Sequence, residues 1–233
     1  MIKRINHTGM GGAQNRWLKS IFHFSFDQYY NPKNMHFGVL RVLNDDLIQA
    51  GRGFDLHPHR DMEIISYVVD GELTHGDSLG HKRTLTRGQV QYMSAGSGIY
   101  HSEFNLSNET LRLLQLWIYP DQRNYQPAYG DFAFEEEERK NRWLNIVSGP
   151  TGDAPVRIHQ DANLYVGEFD EGKAFSFEVK PGRQAYIVQI EGRSSFNEVI
   201  LETRDAAEVV ETKLTIQALT HSHILIVEMA KED

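Results

Sequence analysis

GFDLHPHRDMEIISYVVDG (53–71) is the stretch on which the reading of this chain turns. Its second half, MEIISYVVDG, is rich in β-branched and apolar residues and closes on a glycine, which reads as a buried strand ending in a turn. A second stretch, AFSFEVKPGRQAYIVQIEG (174–192), lies over it when Gly71 is set on Gly192. Phe54 then meets Phe175, Asp70 meets Glu191, and the apolar character of 64–69 is kept. The chemistry is not kept. His57 meets Glu178, His59 meets Lys180 and Glu63 meets Gln184. One strand pattern used twice, with imidazoles in one copy only, predicts two lobes of like build and a site in the first.

Outward from this pair, short strand-like runs fill the chain: HFGVLRVL (36–43), QVQYMS (89–94) and TLRLLQLWIY (110–119) before it thins out, then WLNIVSG (143–149), NLYVGEFD (163–170), TKLTIQA (212–218) and HILIVEMA (223–230). Strand signals every 8–12 residues, broken by Gly and Asp, predict antiparallel sandwiches or barrels. The expected fold is therefore all-β: two jelly-roll-type barrel lobes over 1–125 and 143–233. An acidic linker over 126–142 joins them, and its EEEERK (135–140) is expected to be a solvated helical turn. QNRWLKS (14–20) is expected to form a short helix.

Composition narrows the chemistry. At 233 residues, area scaling leaves about 11,000 Å² exposed of about 39,000 Å² in the unfolded chain, enough burial for a core without staples. There is no cysteine, so disulfides, thiolate zinc sites, Fe–S clusters and cysteine nucleophiles are excluded together. A metal in this chain has His, Asp or Glu as its ligands. The net charge of −8 disfavours direct contact with nucleic acid or anionic lipid. MIKRINHTGMGG (1–12) has no apolar run of the signal-peptide kind and no stretch approaches a membrane span, so a cytoplasmic location is expected. P-loop, GxGxxG, GxSxG and HExxH patterns are missing.

The sharpest chemical feature is His57-Pro58-His59. Residues two apart on a strand project to one face, so both imidazoles point the same way. Pro58 donates no hydrogen bond, which suits a strand edge. His101-Ser102-Glu103 repeats the spacing, and the glycines of SAGSG (94–98) suit a tight turn that delivers it. On facing strands the two pairs make a cage of three imidazoles and one carboxylate, a donor set for Fe, Ni, Cu, Mn or Zn. Four ligands of an octahedron leave two positions open, the mark of a catalytic site.

Other residues get plainer readings. His221 and His223 repeat the His-x-His spacing but are expected in a solvated turn. His75 and His81 are expected exposed at a hairpin tip, GDSLGHK (76–82). His23, His36 and His159 are expected as hydrogen-bonded structural residues. Glu63, four residues past His59, has three readings: a fifth ligand, a salt-bridge partner of Arg60 or Arg41, or a group that orients an imidazole of the cage; the last is expected, since a metal-bound histidine donates its second N–H to a carboxylate or carbonyl. FHFSF (22–26) reads as core packing, with a pocket wall as the alternative. Gln115, polar inside an apolar strand, hints at a pocket lining.

GFDLHPHRDMEI (53–64), SAGSGIYHSEFN (94–105), HFSFDQYYNP (23–32) and IHQDANLY (158–165) together resemble the pirin family, a two-lobed branch of the cupins. Glu63 falls one place early for the general cupin pattern, as in pirins, where the carboxylate ligand comes from the second motif. The resemblance implies a bicupin with one divalent metal on His57, His59, His101 and Glu103, a second lobe without ligands, and Fe(II) as the expected metal with Ni, Mn, Cu or Zn as alternatives. It implies quercetin 2,3-dioxygenase-like activity: a flat flavonol and O2 as substrates, and Glu103 taking the substrate's hydroxyl proton. It also leaves open a non-enzymatic role, a metal-bearing regulator of a protein partner, and more distantly a cupin isomerase or sugar-binding protein.

Overall fold

The computed structural model describes residues 1–232. Strands dominate, and the chain divides into two compact units. The first comprises Gly11–Phe134 with Ile158–Gln160. Its larger sheet has seven strands in the order Ala128–Phe132, Val90–Ser94, Glu63–Asp70, Leu111–Ile118, Leu40–Ile48, Leu18–Phe22 and Gly11–Gln14. Its smaller sheet has four, in the order Arg52–His59, Ile99–Asn105, Leu73–Asp77 and Lys82–Leu85.

The second unit comprises Met1–Met10, Glu135–Arg157 and the chain from Asp161 onward. Its seven strands run Ile2–Ile5, Ala206–Val210, Arg183–Glu191, Ser222–Ala230, Ala162–Phe169, Leu144–Ser148 and Val156–Arg157. Its four are Ala174–Glu178, Lys213–Ala218, Ser194–Phe196 and Val199–Leu201. The two large sheets correspond in their five inner strands and the two small sheets in all four; at one edge Val156–Arg157 runs parallel to Leu144–Ser148, where Gly11–Gln14 runs antiparallel to Leu18–Phe22. Glu63–Asp70 and Arg183–Glu191 hold the same central place, and the glycines that close them, Gly71 and Gly192, share a left-handed φ of 79° and 77°. The repeat seen in the sequence is a repeat of architecture.

Each unit has a core of strand side chains that alternate inward. In the first, Ile48, Val68, Leu73, Leu85, Leu111 and Leu113 form one buried cluster. In the second, Phe175 and Phe177 pack against a cluster that includes Leu214, Ile216, Ile187 and Ile226.

Three expectations need correction. The first ten residues belong to the second unit. Ile2–Ile5 pairs with Ala206–Val209, Arg4 Nη2 lies 2.5 Å from the buried Asp205 carboxylate, and the His7 amide donates to Asp205 at 3.0 Å. This strand covers the sheet edge that Ala128–Phe132 covers in the first unit, an edge that would otherwise stay unpaired. Consequently 126–142 is not a plain linker. It supplies that Ala128–Phe132 edge strand and then one helical turn, Glu136–Arg139, in which Arg139 is buried against Glu168 at 2.9 Å. Finally, 14–20 is a hairpin bend rather than a helix. The Asn15 carboxamide accepts from the Trp17 and Leu18 amides at 2.9 Å each, giving the backbone a turn in place of a helical start.

Among the described residues, no helix is long and apolar enough to cross a membrane.

Candidate metal centre

The small sheet of the first unit presents both histidine motifs. Arg52–His59 is its edge strand, so Pro58 breaks no ladder bond toward a further neighbour. Ile99–Asn105 pairs with it so that His101 faces His57, while Glu103 faces Phe54. The register slips between His101 and Glu103, a bulge that gives Arg52–His59 one extra residue there. The turn before this strand needs glycine. Gly96 has φ +44°, and a Cβ there would meet the Tyr125 carbonyl oxygen at 2.0 Å.

Three imidazoles converge as the spacing predicts. Ring centroids are 4.4 Å apart for His57 and His101, 4.8 Å for His57 and His59, and 4.9 Å for His59 and His101. One nitrogen of each lies within 4.8 Å of the others. His57 and His59 are half-buried, and His101 is 1% exposed. The Asp55 carbonyl accepts from His57 Nδ1–H at 2.7 Å, which leaves Nε2 as a lone pair. Neither ring nitrogen of His101 has a hydrogen-bond partner. Buried lone pairs converging without donors suit a cation, and neutral imidazoles are its usual nitrogen ligands.

Glu103 is 1% exposed and lies deeper. It groups with His101 and a third histidine, His75, within 4.8 Å. Its Oε1 accepts from Ser66 Oγ at 2.9 Å and Gln91 Nε2 at 2.7 Å, and its Oε2 from Gln115 Nε2 at 2.5 Å. These three donors stand side by side on adjacent strands, since Ser66 pairs with Gln115 on one side and Gln91 on the other. The matching register in the second unit is Ile187, with Ile226 on one side and Ala207 on the other. There Leu214 and Ile216 face Phe177 and Phe175 across the small sheet. The second unit thus fills with apolar side chains the space that the first gives to polar ones. No bulge interrupts that ladder, and Phe177, one place before Glu178, pairs with Leu214.

Glu63 does not orient a cage imidazole. It accepts from Ser94 Oγ at 2.6 Å and from the His159 amide at 3.2 Å. The parity that pointed it at the cage assumed an unbroken strand, and Asp61 breaks it with φ +49°. His75 is fully buried rather than exposed, and Tyr129 stacks on it with centroids 4.4 Å apart. His223 is also buried, beside Glu191 at 3.3 Å, whereas His221 is exposed as expected. Trp117 meets His59 edge-on at 4.8 Å, and Phe26 meets Trp117 edge-on at 5.4 Å, so the aromatic run of 22–26 reaches the centre. A groove of about 570 Å³ opens nearby, with Leu56, Phe104, Leu106, His75 and His81 in its lining and none of His57, His59, His101 or Glu103.

Burial, then the neighbouring imidazoles, lowers His59 and His101 to about 3. Burial alone lowers His23 to about 4, partly offset by Asp45. Groups lowered on folding contribute stability that is complete above the unfolded value of 6.5 and lost as pH falls through the folded one. Asp46 works the other way. Burial raises it to about 7, so it favours the fold as pH drops from 7 toward 4. Three histidines against one carboxyl give a net loss. The urea midpoint of the metal-free protein should fall between pH 6.5 and 4. A flat or rising midpoint would contradict these assignments.

A family model described as Pirin matches residues 4–118, and one described as Quercetinase C-terminal cupin domain matches residues 145–229. The chain is 41% identical over 232 residues to the Pirin-like protein of Caulobacter vibrioides, covering 99% of this chain and 100% of that one. It is 37% identical over 221 residues to the Quercetin 2,3-dioxygenase of Escherichia coli K12, covering 94% of each. Among solved structures it is similar to the bacterial pirin YhhW of Escherichia coli in complex with nickel(II), with a TM-score of 0.93, 35% identity and 100% of both chains covered.

Proposed function

This chain belongs to the pirin family, and from that premise we propose that it is a metal-dependent dioxygenase of the quercetin 2,3-dioxygenase kind, opening a flavonol ring with O2 and releasing CO. The observation that carries the reading is the convergence of three imidazoles, one of them buried with both nitrogens unpartnered, beside a buried carboxylate. His57, His59, His101 and Glu103 are the residues assigned to hold one divalent metal, with Fe(II) the first candidate. When bound, such a metal supplies Lewis acidity that favours ionisation of a nearby hydroxyl and a meeting point for O2.

The chain's own residues do the rest. Glu103 takes the proton of the flavonol 3-hydroxyl, with its carboxylate kept in place by Ser66, Gln91 and Gln115. A positioned base of this kind contributes about 10²–10⁴-fold. The half-buried Trp117 and Phe26 offer apolar surface for a flat ring system beside His59.

Two experiments test this. Protein loaded in turn with Fe(II), Mn(II), Ni(II) or Cu(II) and given quercetin in air should consume the flavonol absorbance and release CO. No loss with any of the four rejects the reading. Gln115→Leu should retain metal and lower kcat by about 10²-fold, because the carboxylate loses its Oε2 donor. Unchanged kcat in that variant would remove Glu103 from the role of base.

A further inference from the structure

His75 is a buried histidine beside the centre that the proposed chemistry does not use. His75 has 0% exposure, its Nε2 lies 3.0 Å from Asp77 Oδ2, and its Nδ1 has no partner. One of its nitrogens is within 4.8 Å of the ligand-capable atoms of His101 and Glu103. With Nε2 engaged by Asp77, Nδ1 is the nitrogen free to serve that side.

Asp77 decides where the proton of His75 resides. Its side chain is fully buried and closely held. Oδ1 accepts from the Leu79 amide at 2.9 Å and the His81 amide at 3.1 Å, and Oδ2 lies 2.9 Å from His81 Nδ1. Burial pushes this carboxyl upward, but the hydrogen bonds from His75, His81 and Leu79 outweigh it and leave it below the ordinary carboxylate range. At neutral pH it is a carboxylate and an acceptor only. The neutral form of His75 therefore carries its proton on Nε2, which makes Nδ1 a bare lone pair in the interior. A buried acceptor without a donor costs about 1–3 kcal/mol. Tyr129 stacks on the rings of both His75 and His81, at 4.4 and 5.0 Å.

We infer that His75 is a positioning residue of the centre: its Nδ1 lone pair, kept free by Asp77, accepts a hydrogen bond from an O–H group held beside His101 and Glu103. The inference rests on the reading of the cage as a metal centre and adds to it. The O–H group has two sources, a water of the centre or the hydroxyl of the substrate. Neither requires His75 to be a ligand.

Asp77→Asn gives the sharpest contrast. The two backbone amides at Oδ1 demand an oxygen there, so the NH2 of the new carboxamide must take the place of Oδ2. It then donates to His75 Nε2 and forces the proton onto Nδ1. The shape of the site is kept and the lone pair is lost.

The experiment is NMR on the full chain with ¹⁵N-labelled histidine. Spectra are recorded metal-free, with ¹¹³Cd(II), and with ¹¹³Cd(II) plus 3-hydroxyflavone under nitrogen. In the parent protein His75 should be in the Nε2–H form, with no coupling to ¹¹³Cd. His57, His59 and His101 should each show that coupling. The His75 Nδ1 resonance should move on cadmium addition if water is the donor, or only with the flavonol if the substrate hydroxyl is. In Asp77→Asn, His75 should be in the Nδ1–H form with neither shift.

The inference is overturned by a parent His75 in the Nδ1–H form, or by a ¹¹³Cd coupling that makes it a ligand. It is equally overturned if its Nδ1 resonance stays fixed through both additions while the other three respond. That last result leaves the metal centre standing. A spectrum in which no histidine responds to the metal removes both.

Discussion

His101→Ala should abolish metal retention and turnover together while leaving the fold in place. His101 belongs to both groups of ligand-capable side chains, with His57 and His59 on one side and with His75 and Glu103 on the other. Its removal deletes the one residue through which the deep carboxylate and the half-buried imidazoles meet. The cost to folding is small, because neither ring nitrogen makes a hydrogen bond that the fold would lose. What remains is a cavity, expected to cost about 2 kcal/mol or less once relief of two unpartnered buried atoms is counted. Metal analysis after loading and dialysis checks the first part, and a denaturation curve the second. His221→Ala is the control: it sits in the other unit, is exposed, and should bind metal as the parent does. Retention of metal by His101→Ala at the parent's level would contradict the assignment.

The second large effect is on stability. Arg112→Met should cost the first unit about 3–5 kcal/mol. Arg112 and Asp45 form a two-pronged pair between neighbouring strands, Nε to Oδ1 at 2.9 Å and Nη2 to Oδ2 at 2.7 Å, with the Asp45 side chain 1% exposed. Removing the guanidinium leaves a carboxylate in the interior beside Asp46, which burial already holds near 7. The single variant should unfold at clearly lower urea than the parent. The double variant Asp45→Leu with Arg112→Met should recover most of the loss, because two apolar groups replace the charged pair. A single variant that unfolds with the parent would show that the pair carries little of the fold's stability.

The fold was legible because periodicity and turn residues say little about distance but much about pairing. Setting Gly71 on Gly192 found two strands that do occupy equivalent central places. The imidazole trio was legible for the same reason, since His-x-His on a strand needs only parity, and parity held on both Arg52–His59 and Ile99–Asn105. It failed at Glu63, where the left-handed Asp61 resets the alternation. It also failed at the chain's start, because pairing of Ile2–Ile5 with a strand some 200 residues away leaves no local trace. His75 looked exposed because it precedes a loop-like GDSLG. It is buried, and the ring stacked on it is that of Tyr129, on an edge strand hidden in what read as a linker. The donors around Glu103 had a signal in the repeat register itself: Ser66 and Gln115 fall where the second copy has Ile187 and Ile226. A polar residue in one lobe at the place of an apolar one in the other marks a position kept for chemistry.

The direct measurement is an anomalous-difference map from crystals of untagged protein loaded with nickel(II), collected at the metal's absorption edge. One peak is expected in the first unit, at bonding distance from a nitrogen of each of His57, His59 and His101 and from an oxygen of Glu103, with solvent on its remaining side. A map with no peak among those residues, or with its only peak elsewhere on the chain, would contradict it.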